Sequence, residues 1–181
     1  MRTDLGTPLN SIQSPYRKTS TIMLSSFFTT TIIAATALLS TVSNAAPSIP
    51  GFAHLYTLNC TLGPSVNVGT GPRGSRNVIP ITGGTFAGPR LAGRILNIGA
   101  DWSITDSKGL FNADTRYQLQ TDDGANIFIQ TSGPAQQNGK IYLRGIFETG
   151  SDKYWWLNNI IAVGVLTPGN GGVSIDMFYM E

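Results

Sequence analysis

The sequence is poor in the residue types on which many catalytic and metal sites are built. It has one cysteine, Cys60, and one histidine, His54, in 181 residues. A single cysteine excludes an intramolecular disulfide and any metal site that needs two thiolates. A single histidine near the start of the predicted mature chain argues against Ser-His-Asp and Cys-His pairs. An acid or base must therefore come from Asp, Glu, Tyr or Lys, and we predict no cofactor.

Charge is also scarce, since Asp, Glu, Lys and Arg make up 12% of the residues. Of the 12 basic residues, Arg2, Arg17 and Lys18 precede residue 46, and of the 10 acidic residues only Asp4 does, so nine of each remain. No run of Lys or Arg offers the basic face that releases counterions from nucleic acid. We expect a nearly neutral mature chain with no nucleic-acid partner.

The longest apolar segment lies near the beginning of the chain. Met23 to Val42 is uncharged and rich in Phe, Ile, Ala and Leu, and Ser43 and Ala45 follow at positions −3 and −1 of a cleavage site. This pattern predicts a signal peptide, cleavage after Ala45, a secreted protein with no stable membrane association, and a true start at Met23. An uncleaved anchor and an intracellular protein with a misread extension are the alternatives.

The chain after Ala45 has room for one domain, which we place at residues 54–181 behind a short linker of residues 46–53. Asn59-Cys60-Thr61 has the N-x-[ST] pattern. If the chain is secreted, this triplet predicts glycosylation of Asn59.

Apolar residues after Pro50 alternate with polar ones, and Gly, Pro and Asp interrupt the alternation at short intervals. This period of two predicts an all-β fold, either a compact antiparallel β-barrel or a sandwich. The predicted strands are 53–61, 77–82, 91–98, 115–121, 126–131, 140–148, 160–166 and 173–179. Gly83-Gly84 and Asp122-Asp123-Gly124 are among the predicted turns.

Two predicted strands carry charge on one face. Asp114 and Arg116 share a face of one strand, and Arg144 and Glu148 share a face of another. The alternation alone favours a solvated outer face for these residues over a polar lumen.

Several segments suggest chemistry. Asp101 lies between Ala100 and Trp102, where desolvation can raise the pKa of a carboxyl and suit it to acid or base catalysis. Tyr154, Trp155 and Trp156 are either core residues or a stacking wall for a flat ligand. Gly69 to Gly74 matches G-x-G-x-x-G, but no βαβ unit surrounds it, so we interpret it as a loop.

Four segments together resemble the DUF3237 (UPF0311) family over about residues 54–180: RNVIPITGGTFAGPRLAGRILNIGADW, NADTRYQLQTDDGA, FETGSDKYWWLNN and the closing IDMFYM. The resemblance implies a calycin-like barrel whose lumen opens at one end. It also implies a small hydrophobic, polyketide-like or aromatic ligand, because fungal members often accompany secondary-metabolite genes. It favours a lumen position for the charged faces. The site residues that it implies are Arg73, Asp101, Trp102, Asp114, Arg116, Tyr117, Arg144, Glu148, Tyr154, Trp156 and Asn158.

Three functions fit this sequence. In a cofactor-independent isomerase, cyclase or lyase, Asp101 or Glu148 would move a proton while Arg116 or Arg144 steadies an oxyanion. In a carrier, the same Arg and Trp residues would only hold an acidic aromatic ligand, together with Arg73, Asp114, Tyr117, Tyr154 and Asn158. In a structural or interaction protein, the barrel would be filled and would have no cavity.

Overall fold

The computed structural model describes residues 46–181, and these form a single all-β unit. Residues 46–51 precede the first strand. The predicted leader, its cleavage site and the start at Met23 lie outside the described residues. Within residues 46–181, no helix is long and apolar enough to cross a membrane.

Ten strands and one short 3₁₀ helix make up the unit. The helix, Asp152–Asn159, is called the end helix below. The strands are β1 (Phe52–Leu62), β2 (Val66–Gly71), β3 (Gly74–Ala87), β4 (Ala92–Asp101), β5 (Ile104–Thr105), β6 (Phe111–Thr121), β7 (Asn126–Pro134), β8 (Ile141–Glu148), β9 (Ala162–Gly169) and β10 (Gly172–Met180).

The sheet closes on itself as an eight-stranded antiparallel barrel. Its order is β1-β10-β9-β8-β7-β6-β4-β3, and β3 pairs with β1 to complete the ring. Closure removes the exposed edges that an open sheet of this size would present. The predicted compact antiparallel β-barrel is therefore confirmed. β2 and β5 stand outside the ring and pair with one end of β3.

Alternate side chains along each strand fill the lumen. In β8 every odd-numbered residue is buried and every even-numbered residue is exposed, which is the period-two pattern of a sheet with one dry face. The same alternation runs through β6 and β7. The fully buried side chains with the largest volumes are Tyr56, Leu55, Leu58, Leu119, Ile127, Ile129, Leu157 and Met177.

The two ends of the barrel differ. At one end, the end helix joins β8 to β9 and buries Tyr154 and Leu157 against the core. This end is called the closed end. The opposite end, where β1 finishes and β4 reaches Asp101, carries β2 and β5 and is called the open end.

All eight barrel strands coincide with predicted strands, but β2, β5 and the end helix were not predicted. The predicted turn at Gly83-Gly84 was wrong, because Gly84 lies inside β3 and pairs with both Cys60 and Ile95. Its φ of 135° is one that side chains rarely allow, and a Cβ there would overlap the Asn59 carbonyl oxygen. Gly84 therefore permits the close antiparallel approach of β1 to β3 at the seam of the barrel.

We predict that Gly84→Ala lowers the free energy of unfolding by clearly more than about 1 kcal/mol, because strain and overlap add. Gly109→Ala is the matched control, since Gly109 also has a positive φ, of 81°, but open space around it. Denaturant unfolding measures both variants. Equal losses would show that the close approach of β1 to β3 contributes nothing.

Candidate functional site

A small cavity enters the lumen at the open end. Its polar lining consists of Asp101 from β4, Thr115 and Tyr117 from β6, and the thiol of Cys60 from β1. The rest of the lining is apolar: Leu62, Ile79, Ile81, Leu166, Val173 and Ile175. Its volume of about 40 Å³ has room for a few waters or for the reacting end of a ligand.

An irregularity in β4 aims Asp101 into this cavity. Ile95 pairs with Leu119 and Gly99 pairs with Tyr117, so four residues of β4 span two residues of β6. Because two extra residues are inserted, the residues of β4 after the irregularity point to the same side of the sheet as those before it. Asp101 therefore pairs with Thr115 on the inward face. A Cβ at Gly99 would collide with the backbone of β6, so glycine permits the close approach.

The environment of Asp101 favours its neutral form. Desolvation by burial is the main cause that raises the pKa of this carboxyl to about 6. A backbone hydrogen bond from Asp114 acts in the opposite direction and lowers the pKa, whereas the charge of Asp114 adds a smaller rise. In that bond the Asp114 N–H donates to Oδ1 of Asp101 at 2.8 Å. No hydrogen bond within the described chain occupies Oδ2. Asp101 is therefore a carboxyl poised to exchange a proton near neutral pH.

Two tyrosine hydroxyls are buried inside the barrel without partners among the described residues. Tyr117 and Tyr56 are 3% and 0% exposed, and within residues 46–181 neither hydroxyl makes a hydrogen bond. Burial raises the pKa of Tyr117 above its usual value, as does the neighbouring Cys60. Burial also raises the pKa of Tyr56, with a smaller contribution from Tyr117. Both hydroxyls therefore stay protonated and are available as donors.

Cys60 behaves as an apolar residue in the cavity wall. Burial raises the pKa of its thiol to about 11, so the reactive thiolate is scarce at neutral pH. Among residues 46–181, no three His, Cys, Asp or Glu side chains come together as a metal-binding group. Proton transfer, rather than thiolate attack, is the chemistry that this lining favours.

Three predicted site residues form a separate groove outside the barrel. Arg116 pairs with Asp114 at 3.1 Å, and its guanidinium lies 5.9 Å from the ring of Trp102. The side chains of the pair are 43% and 37% exposed. A lumen position for Asp114 and Arg116 was therefore wrong, because the inward face of β6 belongs to Ala113, Thr115 and Tyr117.

The lumen position of Arg144 and Glu148 was wrong for the same reason. Both are exposed on the outer face of β8, whose inward face belongs to Leu143 and Phe147. The interpretation of these faces as solvated, which the alternation alone favoured, is the correct one. Arg73 is also distant from Asp101 in the fold, since it lies at the exposed turn of the β2–β3 hairpin.

The predicted aromatic wall lies at the closed end. The Tyr154 hydroxyl donates to Asp123, which also accepts from Lys153. Mainly through the Lys153 bond, the pKa of Asp123 falls to about 2.

The other two predicted residues of the end helix also have structural partners. Trp156 stacks on Arg90, whose guanidinium lies 3.6 Å from the ring centre. Asn158 exchanges two hydrogen bonds with the backbone of Thr149. These contacts attach the end helix to the barrel, and the open-end cavity includes none of the three predicted residues.

Of the predicted site residues, the structure thus brings together Asp101 and Tyr117. Sequence reasoning missed Tyr56 and Thr115. Tyr56 is hidden because an irregularity in β1 buries Leu55 and Tyr56 in succession, which breaks the alternation. Thr115 lies on the face of β6 opposite to Asp114 and Arg116, so the alternation that separates the two faces contains the signal of its lumen position.

Asn59 lies in the middle of β1 with an exposed side chain. Its glycosylation stays a prediction, as does the secretion on which it depends.

Comparison with known proteins agrees with this architecture. Residues 50–145 match the model of a family described as a protein of unknown function (DUF3237). The chain is 33% identical over 141 residues to the hydroalkoxylation enzyme of Penicillium herquei, covering 78% of this chain and 89% of the relative. It is 30% identical to a UPF0311 protein of Rhodopseudomonas palustris, covering 68% and 92%.

Solved structures give the same result. A β-barrel-like protein of Acinetobacter baumannii is 40% identical with a TM-score of 0.68, over 75% of this chain and 98% of that one. The crystal structure of an enzyme from Penicillium herquei is 31% identical with a TM-score of 0.66, over 76% and 98%.

We predict that Asp101→Asn raises stability above about pH 6 and has little effect below about pH 4. The folded-state pKa of Asp101 lies above its ordinary value, so its stabilising contribution is present at low pH and is lost as pH rises through about 6. Above that pH the native protein holds a desolvated charge that costs up to about 3 kcal/mol, and Asn removes that charge.

Urea unfolding of both proteins across this pH range is the measurement. Asp152→Asn, in the exposed first turn of the end helix, controls for the loss of one surface carboxylate. A stability difference between Asp101→Asn and the native protein that does not vary with pH would contradict the assignment.

Proposed function

The chain belongs to the DUF3237 family, and from that premise we propose that it is a cofactor-independent enzyme of secondary metabolism. The reaction we propose is the addition of a substrate hydroxyl group across a carbon–carbon double bond of the same molecule, which closes a cyclic ether. The apolar lining of the open-end cavity suits the reacting end of a polyketide-like or aromatic substrate. The observation that carries the proposal is Asp101, an acid with a pKa of about 6 that faces an otherwise apolar cavity.

This reaction needs only a proton donor and a proton acceptor. The O–H bond and the π bond break, while one C–O bond and one C–H bond form, so the product is an isomer of the substrate. A carboxyl group performs both transfers if it protonates the alkene carbon and then takes the proton from the attacking hydroxyl. The carboxyl group is regenerated at the end, and no oxidant or reductant is consumed.

The geometry of Asp101 suits these two transfers. Oδ1 is fixed by the Asp114 N–H, and Oδ2 has no hydrogen bond within the described residues, so it is available for proton transfer. With a pKa of about 6, roughly one molecule in ten is protonated at neutral pH. The apolar lining excludes water that would otherwise compete with the hydroxyl for the developing cation. Similarity to the Penicillium herquei enzyme, which is named for hydroalkoxylation, supports this reaction over other isomerisations.

Glu148, Arg116 and Arg144 take no part in this mechanism. Their side chains are on the outer surface, and a residue there cannot reach a hydroxyl held in the lumen. The oxyanion role predicted for the arginines has no place in this reaction, because the intermediate of alkene protonation is a cation.

A carrier that only binds the same ligand is the competing function. The cavity and its donors would serve it equally, but the raised pKa of Asp101 would then have no purpose. Turnover separates the two functions, because Asp101→Asn removes an enzyme's activity and leaves a carrier's affinity nearly unchanged.

We predict that the protein converts ortho-allylphenol to its cyclic ether, with one solvent deuterium incorporated at carbon in D₂O. The acid form of Asp101 is required, so kcat/KM should fall as pH rises through about 6. Asp101→Asn should lower kcat by about 100-fold or more. Chromatography and NMR of the product measure the rate and the position of the label.

Asp152→Asn is the control for this assay, because it removes an exposed carboxylate of the end helix at the closed end. Glu148→Gln addresses the competing sequence-based acid, and a loss of activity equal to that of Asp101→Asn would overturn our assignment. Binding of ortho-allylphenol with no turnover at any pH would favour the carrier.

We also propose that the mature protein is secreted after cleavage at Ala45, on the pattern of the apolar segment and its small-residue site. The intact mass of the enzymatically deglycosylated protein from its native source should then correspond to residues 46–181. A mass that includes residues 1–45 would exclude cleavage.

A further inference from the structure

Two buried hydroxyl groups in the lumen have no partner among residues 46–181. Tyr117 lines the cavity, Tyr56 lies deeper among Phe86 and Phe147, and neither Oη makes a hydrogen bond within the described chain. Buried polar atoms in proteins are nearly always paired, because an unpaired one forfeits its bonds to water. If these two positions served core packing alone, Phe would be expected in place of Tyr.

The remaining lining defines what these hydroxyls can bind. Thr115 is already engaged, since its hydroxyl bonds to that of Thr131 on the next strand. No basic residue lines the cavity, so a carboxylate or phosphate group would be desolvated there without a counter-charge and close to Asp101. An uncharged oxygen that accepts hydrogen bonds has no such cost.

We propose that Tyr117, with Tyr56 behind it, binds an uncharged acceptor oxygen of the ligand, such as that of a ketone or a phenol. The two hydroxyls are close enough for Tyr117 to perturb Tyr56, yet they do not bond to each other. A carbonyl oxygen can accept two hydrogen bonds, so a single oxygen has the capacity to satisfy both donors. The ligand therefore enters with this oxygen deepest, and its reacting hydroxyl and alkene lie nearer to Asp101.

This inference rests on the proposed function, since it names the substrate class of the same site: neutral molecules that carry a ketone or phenol oxygen in addition to the groups that react. Tyr117 and Tyr56 are positioning residues in this arrangement, because the protons that move belong to Asp101 and the substrate. Ligands with an anionic group at the deep end are excluded by the same lining.

The first test needs no ligand. Because its hydroxyl is buried without a partner, Tyr117→Phe should raise the melting temperature by about 2 to 4 °C. Tyr154→Phe is the matched control, since the Tyr154 side chain is similarly buried but its hydroxyl donates to Asp123, and its loss should lower the melting temperature. A decrease for Tyr117→Phe as large as that for Tyr154→Phe would show that the Tyr117 hydroxyl already has a partner, and would overturn the proposal.

The second test compares two probes of the same shape, cyclohexanone and methylenecyclohexane, which differ in one acceptor oxygen. Titration followed by protein NMR should give a dissociation constant about tenfold lower for the ketone with the native protein. Tyr117→Phe should reduce that preference to about onefold, and Tyr56→Phe should reduce it by a smaller factor. An unchanged preference in Tyr117→Phe, or no binding of either probe up to its solubility limit, would overturn the proposal.

Asp101→Asn separates this inference from the proposed reaction, because probe binding requires no proton transfer. The ketone preference should persist in that variant. A Tyr117-dependent preference in a protein that never converts ortho-allylphenol would refute the reaction and keep the binding site. Turnover combined with a preference that does not depend on Tyr117 would refute the binding site alone.

Discussion

The antiparallel pairing of β1 with β3 closes the sheet, and the properties of the lumen depend on that closure. Once the ring is complete, every second side chain of eight strands enters a space from which water is excluded. Packing then requires apolar side chains at these positions, and Leu58, Leu119, Ile129 and Met177 meet the requirement. Each polar side chain on the inward face is consequently an exception that carries a cost in stability.

The polar side chains of the inward face differ in whether the fold satisfies them. At the closed end, the end helix packs Leu157 and the bonded Tyr154 against the core, whereas the open-end cavity holds Asp101 and the unpaired hydroxyl of Tyr117. The unpaired hydroxyl of Tyr56 lies deeper in the barrel, among Phe86 and Phe147. Desolvation is the common cause of their properties, because it raises the pKa of Asp101 and keeps Tyr117 and Tyr56 neutral. A site formed in this way needs no metal and no basic residue to favour proton transfer, since the low polarity of the lumen supplies the perturbation.

The sequence predicted the barrel well, because alternation is a local signal and all eight ring strands carry it. It predicted Asp101 for a physical reason that the structure repeats, namely a carboxyl among apolar neighbours. The prediction failed where the position of a residue depends on tertiary contacts rather than on the local pattern. The alternation correctly placed Arg144 and Glu148 outside, but the family resemblance favoured the lumen, since a shared motif does not record which face of a strand it occupies.

Other features could not be read from the sequence at all. Gly84 resembles a turn residue in the sequence, and only the antiparallel pairing of β1 with β3 explains it. Tyr56 can be assigned to the lumen only when the irregularity in β1 is known. Trp156 and Asn158 were predicted to line a ligand site. At the closed end, however, Trp156 stacks on Arg90 and Asn158 is hydrogen-bonded to the Thr149 backbone. Partners distant in sequence decided each of these cases.

The central claim is that desolvation at the open end of the barrel raises the pKa of the Asp101 carboxyl to about 6. Site-specific carbon-13 NMR titration of the Asp101 carboxyl in the free protein measures this directly, with Asp101→Asn to assign the signal. The account predicts a midpoint near pH 6. A midpoint near the ordinary aspartate value of about 4 would contradict it.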